Sequence, residues 1–114
     1  MKMESHPLPD LVKAASAFAA LGSEQRLGVL NVLVRAGHDG LSIGELGERT
    51  GVTGSTLTHH LKILAQAGLI KQTRKGRSII SSAVAYDEVE SLSHFLLREC
   101  CADSPTSQED HSHG

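Results

Sequence analysis

The sequence predicts a mainly α-helical domain with a small β-hairpin wing. Apolar residues recur at helical spacing over most of the chain, whereas residues 69–84 contain two extended, partly β-branched runs around a glycine-containing turn. Aromatic residues make up only 3% of the composition. The 114 residues leave room for one core, and that core must be built from aliphatic side chains.

Two helices are expected before residue 41. The first begins at Asp10 and ends at Gly22, a typical C-terminal stop, with apolar positions at Leu11, Ala14, Ala15, Phe18 and Leu21. Ser23 caps the second, which ends at the turn 37–40. Its broad apolar stripe consists of Leu27, Val29, Leu30, Leu33 and Val34.

Two short helices are expected next. Ser42 and Glu45 have the spacing of a capping box, which predicts a helix through about Arg49 that ends at Gly51. Thr53 is a second N-cap, and the helix after it stops at Gly68 with Leu57, Leu61, Leu64 and Ala65 on one face. Such a pair, joined by residues 50–52, is typical of a helix-turn-helix whose second helix enters the major groove.

A hairpin and a last helix complete the pattern. The hairpin has the basic tip 74–77, and Asp87 opens a helix that is expected to reach Cys100 and Cys101. The apolar stripe of that helix consists of Val89, Leu92, Leu96 and Leu97. This order of elements is a winged helix-turn-helix.

Charge is distributed unevenly along the chain. The formal net charge is −2, yet the stretch from Gly51 to Tyr86 has five Lys and Arg residues and no Asp or Glu. A basic segment inside an acidic protein favours a polyanionic partner such as DNA. A chance fluctuation of surface charge is the alternative interpretation.

The second helix of the helix-turn-helix has small polar residues opposite its apolar stripe, which suits approach to base edges. Its N-terminus favours a nearby phosphate, and cations at the hairpin tip suit the minor groove or the backbone. His60, near the apolar stripe, is interpreted as a packed, hydrogen-bonded core histidine. The candidate DNA contacts are Thr53, Gly54, Ser55, Thr58, His59, Lys62, Arg74, Lys75 and Arg77.

Three stretches resemble the ArsR/SmtB family of repressors. Residues 20–27 (ALGSEQRL) are similar to the family's ALADPTRL, residues 55–70 (STLTHHLKILAQAGLI) look like its recognition helix, and residues 74–77 (RKGR) like its wing tip. The resemblance covers roughly residues 10–101. It implies a homodimer through the first and last helices, bound to a double-stranded DNA operator and released when its signal arrives.

One position departs from the family pattern. Gly54 stands where the family often has Gln, whose amide reads adenine well. The operator is therefore expected to differ or to be recognised more through DNA shape. We divide the chain into a flexible leader (1–9), a DNA-binding and dimerisation domain (10–101) and a disordered tail (102–114).

Cys100 and Cys101 are the candidate signal site. Thiolates suit soft ions and trivalent arsenic or antimony, and a Cys pair late in the last helix resembles the arsenite-sensing members of the family. Neighbours on a helix point about 100° apart, so the last turn must fray or two subunits must share ligands. A third sulfur would come from the other subunit or a small thiol.

Two other interpretations of the cysteine pair stay open. The thiols could form a redox switch, or simply pack in the core. His111 and His113 could add imidazoles for a borderline metal, or be incidental.

Several classes are excluded. The apolar runs are far shorter than the roughly 20 residues of a membrane span, and the N-terminus lacks the apolar segment of a secretory signal. Two adjacent cysteines are no disulfide framework, which favours a reducing cytoplasm. No enzyme motif is found. A winged-helix protein–protein adaptor is the rival function, against which the basic segment argues.

Overall fold

A computed structural model of the chain describes residues 10–83 and 86–105. The described part contains five α-helices and a three-stranded antiparallel sheet, which confirms the predicted fold class. The helices are α1 (Leu11–Ala20), α2 (Glu24–Ala36), α3 (Ile43–Thr50), α4 (Gly54–Gln66) and α5 (Tyr86–Leu97). The strands are β1 (Leu41–Ser42), β2 (Ile70–Lys75) and β3 (Ser78–Ala83), and a single 3-10 turn, Gly37–Asp39, precedes β1.

Helices α1, α2 and α3 begin where side-chain capping satisfies N–H groups of the first turn. The side chains of Asp10 and Ser23 accept hydrogen bonds from the first turns of α1 and α2. At α3 the predicted capping box is complete: the Glu45 N–H donates to Ser42 Oγ at 3.2 Å and the Ser42 N–H donates to Glu45 Oε1 at 2.9 Å. Thr53 has the extended N-cap backbone of α4, but its side chain makes no capping hydrogen bond.

The sheet has the order β1-β3-β2, and β1 is an element that sequence periodicity did not reveal. Leu41 and Ser42 pair with Ser81 and Ile80 of β3. Gly40 makes this approach possible, because it has a φ of +69° and a Cβ there would overlap the Ser81 carbonyl oxygen. Two residues are too few to show an alternating pattern.

The core is aliphatic, as expected. Its largest fully buried side chains include Leu33 on α2, Leu46 on α3 and Leu57, Leu61 and Leu64 on α4. These residues join α2, α3 and α4 into one unit that holds the helix-turn-helix.

The buried face of α1 differs from the prediction. Ala14, Ala17 and Ala20 are buried, whereas Leu11 and Phe18 are exposed. Alanine lets a helix approach its neighbour closely, which leaves the bulky side chains outside. Four further predicted stripe residues on α2 and α5 are also exposed in the single chain: Leu27, Val34, Leu96 and Leu97.

The prediction that the last helix reaches Cys100 and Cys101 is wrong. α5 ends at Leu97, and turns follow in which the Cys100 N–H donates to the Leu97 carbonyl and the Ala102 N–H to the Glu99 carbonyl. Cys101 has a φ of +62°, a left-handed conformation that cannot continue a helix.

Some predictions lie outside the described residues. These are the leader 1–9, the tail from 106 onward with His111 and His113, and the side chains of Asp87 and Val89. In the described ranges, no helix has the length and apolar content that a membrane span requires.

Candidate nucleic-acid interface

The turn between α3 and α4 is held by its own backbone and one threonine. Gly51 adopts a φ of +74° and its N–H donates to the Gly47 carbonyl, so α3 stops in a left-handed cap. Thr50 Oγ1 donates to the Leu46 carbonyl at 2.7 Å and accepts from the Val52 N–H at 3.2 Å. The turn therefore fixes the angle at which α4 leaves α3.

α4 divides into a buried and an exposed face. Leu57, His60, Leu61 and Leu64 are buried against the rest of the domain. The predicted contact residues on this helix all lie on the exposed side: Gly54, Ser55, Thr58, His59 and Lys62. Gly54 is the first helical residue, and a Cβ added there would meet open space.

Thr53 precedes this face. Since its hydroxyl does not cap the helix, the first N–H groups of α4 remain available to a ligand such as phosphate.

His60 is a core histidine, as predicted. It is 8% exposed, and its Nε2 lies 2.9 Å from Oε1 of Gln25 in the first turn of α2. Its Nδ1 is buried without a hydrogen-bond partner among the described residues. Burial lowers the pKa of His60, and the positive charges of Arg26 and of His59 lower it further. Sequence reasoning missed Gln25, which is 35 residues away in the chain.

The wing is a regular hairpin. β2 and β3 pair from Ile70 with Ala83 to Lys75 with Ser78, and Gly76 at the turn has a φ of +61°. The predicted contacts Arg74, Lys75 and Arg77 are all exposed.

The strand geometry separates these cations. Successive side chains of a strand point to opposite faces, so Arg74 lies on the face of Gln72 and Lys75 lies on the face of Lys71. Arg77 lies in the turn. The basic cluster of the sequence is therefore spread around the wing rather than presented on one side.

The cations of the acid-free segment are all accessible. Lys62 on α4 and the cations of the wing are all solvent-exposed, and within the described ranges no carboxylate forms an ion pair with them. Such unpaired cations are available to phosphate oxygens.

The two cysteines follow α5 and lie outside the acid-free segment. Their Sγ atoms are 3.4 Å apart without a disulfide, Cys100 is exposed and Cys101 is half-buried. The alternative in which both pack in the core is therefore wrong for the single chain. Across the part of the chain that the structure describes, no three His, Cys, Asp or Glu side chains are grouped to hold a metal ion.

Comparison with known sequences gives consistent matches. Residues 21–73 match the model of a helix-turn-helix domain family. The transcriptional activator HlyU of Vibrio cholerae is 33% identical over 89 residues, which are 78% of this chain and 79% of HlyU. The transcriptional repressor SdpR of Bacillus subtilis is 29% identical over 84 residues, covering 71% of this chain and 90% of SdpR.

An uncharacterised helix-turn-helix regulator of B. subtilis, YceK, is 36% identical over 64 residues. This match covers 56% of the chain, which spans 63% of YceK.

Solved structures extend the similarity to the fold. An ArsR-like transcriptional regulator from Rhodococcus sp. RHA1 superposes with a TM-score of 0.67 at 31% identity, over 76% of this chain and 78% of that one. Reduced HlyU of V. cholerae gives 0.59 at 27% identity, over 78% and 88%. The homodimeric winged helix-turn-helix domain of Mb0332 from Mycobacterium bovis gives 0.65 at 20% identity, over 81% and 82%.

These matches are to transcriptional regulators rather than enzymes. Together with the exposed face of α4 and the basic wing, they establish that this chain belongs to the ArsR family of winged helix-turn-helix transcriptional regulators.

Proposed function

We propose that the chain is a homodimeric repressor that binds a double-stranded DNA operator with α4 in the major groove and the wing beside it. The observation that carries this proposal is that α4 exposes small polar residues and the hairpin exposes cations, in a segment that has no Asp or Glu. Small polar side chains on α4 suit base edges, and cations without ion-pair partners suit phosphates. The nine predicted contacts, Thr53 to Arg77, are the proposed interface.

The proposed dimer uses α1 and α5. Leu11 and Val12 on α1 are 71% and 79% exposed, and Leu96 and Leu97 on α5 are 65% and 64% exposed. Exposed apolar side chains of this size are typical of an interface. The fold neighbour Mb0332 is homodimeric, which supports a dimer but does not itself identify the helices that form it.

DNA binding is tested with duplexes selected by the protein from a random library. Fluorescence anisotropy is expected to give tight, sequence-dependent and strongly salt-dependent binding. Binding that is indifferent to salt and sequence would favour the adaptor function instead. Transcription from a promoter that overlaps the selected site is expected to fall on addition of protein; a rise would make the chain an activator, as its relative HlyU is named.

The dimer is tested by sedimentation of a Leu96→Glu, Leu97→Glu variant. This variant is expected to become monomeric, because charges would replace the apolar contact. Leu27→Glu is the matched control, since Leu27 is 44% exposed on α2, outside the proposed interface. An unchanged mass of the α5 variant would contradict the arrangement.

The proposed signal is a thiol-binding metalloid, arsenite or antimonite, at Cys100 and Cys101. Because α5 ends before the pair, the two sulfurs are not held on divergent helical directions, and they lie 3.4 Å apart. Two thiolates on a tetrahedral zinc ion with bonds of about 2.3 Å would be roughly 3.8 Å apart, and the pyramidal coordination of trivalent arsenic brings its sulfurs closer than that. The observed separation is thus short enough for one ion, with a third ligand from the partner subunit or a small thiol.

The inducer is tested by titrating the DNA complex with arsenite and antimonite. Release is expected for the wild type and not for Cys100→Ser with Cys101→Ser, while DNA affinity without inducer stays unchanged. Ser104→Ala, in the same run of turns, is the control. Release that persists in the double variant would remove the thiols from sensing.

A redox response is the second candidate. Two adjacent thiols 3.4 Å apart can form a disulfide when a peroxide takes two electrons and both protons to give water. The relative HlyU has been solved in a form called reduced. Release by peroxide, reversed by dithiothreitol and without a response to arsenite, would establish this candidate over the metalloid.

A further inference from the structure

A side-chain hydrogen bond joins α4, the proposed recognition helix, to α2. His60 on α4 and Gln25 on α2 meet at 2.9 Å between Nε2 and Oε1. An amide oxygen only accepts, so Nε2 carries the hydrogen; when the ring is neutral, Nδ1 is then the unprotonated nitrogen. The contact fixes one tautomer of His60.

The opposite nitrogen has nothing to donate to. Nδ1 is buried and has no hydrogen-bond partner in the described part of the chain. A neutral Nδ1 loses one acceptor interaction with water, but a protonated Nδ1 would be a buried charged donor without an acceptor, which is far more costly.

The surroundings also disfavour a cation. The titratable groups that act on His60 are Arg26 from α2 and His59 from α4, both positive when charged. Among the described residues, no carboxylate, including Glu24 beside Gln25 on α2, raises the pKa of His60 against them. Protonation would therefore place like charges together in a low-dielectric site.

Arg26, the residue after Gln25, forms a hydrogen bond with α1. Arg26 Nε donates to the Ala20 carbonyl at the C-terminal end of α1 at 2.7 Å. The first turn of α2 thus contacts two helices: Arg26 binds the last turn of α1, and Gln25 binds α4. The contact with α4 and the contact with α1 are made by adjacent residues of α2.

We propose that Gln25 and His60 are a positioning pair that seats the recognition helix only while His60 is neutral, so that protonation of His60 loosens α4 and weakens operator binding. This inference rests on the proposed function, because operator affinity is one of its readouts. The predicted sign is unusual, since protonation of an exposed histidine at a DNA surface strengthens binding to phosphates. Because His59 is a proposed DNA contact, it is expected to strengthen operator binding when it is protonated.

The variant His60→Gln tests the pair. Its amide can donate to Gln25 and cannot be protonated in this range, so it keeps the bond and removes the titration. In a His59→Gln background, the chain with His60 is expected to lose about tenfold in operator affinity between pH 7.5 and 5.5, as expected for a buried charged donor left unpaired. The His60→Gln variant is expected to lose less than about twofold.

A second variant is expected to abolish the loss of operator affinity at low pH. Gln25→Glu places a carboxylate at the same atom, which favours the charged form of His60. Operator affinity at pH 5.5 is then expected to be retained. Equal pH profiles for the three chains would overturn the proposal.

Nitrogen-15 NMR of the DNA-free protein separates this inference from the proposed function. It is expected to show a neutral His60 with its proton on Nε2 at pH 7, and a pKa for His60 below the ordinary histidine value. A Nδ1-protonated or charged ring would overturn the pair whatever the protein binds. A chain with the expected NMR behaviour that binds no DNA at pH 7.5 would overturn the proposed function and the operator half of this inference.

Discussion

Replacing Arg77 with alanine is the most direct test of the wing. Arg77 occupies the two-residue turn between β2 and β3, is exposed, and has no ion-pair partner among the described residues. Its removal should leave the hairpin intact, because Gly76 rather than Arg77 has the positive φ that the turn requires. The variant therefore isolates an electrostatic contact.

The size of the effect follows from counterion release. Each phosphate contact contributes about 0.9 to the slope of log affinity against log salt concentration. A dimer loses two contacts, so the slope is expected to weaken by about 1.8. If the contact contributes nothing at about 1 M salt, this corresponds to a loss of roughly 30-fold in affinity at about 0.15 M.

Anisotropy titrations at four salt concentrations measure this slope. The loss is expected to be similar for the preferred operator and for single-base variants of it, because phosphates carry no sequence information. Arg35→Ala is the matched control: it removes the same charge from an exposed site on α2, outside the basic segment. A slope that does not change, or a loss confined to one operator position, would refute a phosphate contact by Arg77.

Three further predictions concern stability and are measured by urea unfolding. Leu33→Ala, at a fully buried site, is expected to cost about 2–5 kcal/mol; a cost below about 1 kcal/mol would contradict its central place in the core. Gly40→Ala is expected to cost at least about 1 kcal/mol because of its positive φ and its contact with β3, whereas Gly28→Ala, in an open helical position, should be neutral or stabilising. Hydrogen bonds from the N–H and hydroxyl of Ser42 lower the pKa of Glu45. The ionised carboxylate therefore adds to the free energy of unfolding above the ordinary pKa of 4.5, and this contribution is lost as the pH falls through the lowered pKa. Glu45→Gln should thus be less stable than the wild type at pH 7 and converge with it in acid; a gap that persists in acid would contradict this.

The elements defined by local interactions were predictable. Capping by Ser23 and by Ser42 with Glu45 and the stop at Gly51 depend on residues within four positions of one another. The hairpin starts from a turn that is equally local, where Lys75 pairs with Ser78. The buried stripe of α4 follows from helical spacing in the same way, which is why the exposed candidate contacts were placed on the right side. The contacts with DNA themselves stay a prediction.

The sequence alone therefore determined the order of the helices, the caps at Ser23 and Ser42, the wing and the acid-free segment, because each depends on neighbours in the chain. The tertiary structure decided that α1 buries alanines rather than Leu11 and Phe18, that two residues beside Gly40 join the sheet, and that His60 pairs with Gln25. It also decided that the thiols leave the helix. Most of these features depend on which distant surfaces meet, and a sequence pattern carries no information on the partner across such a contact.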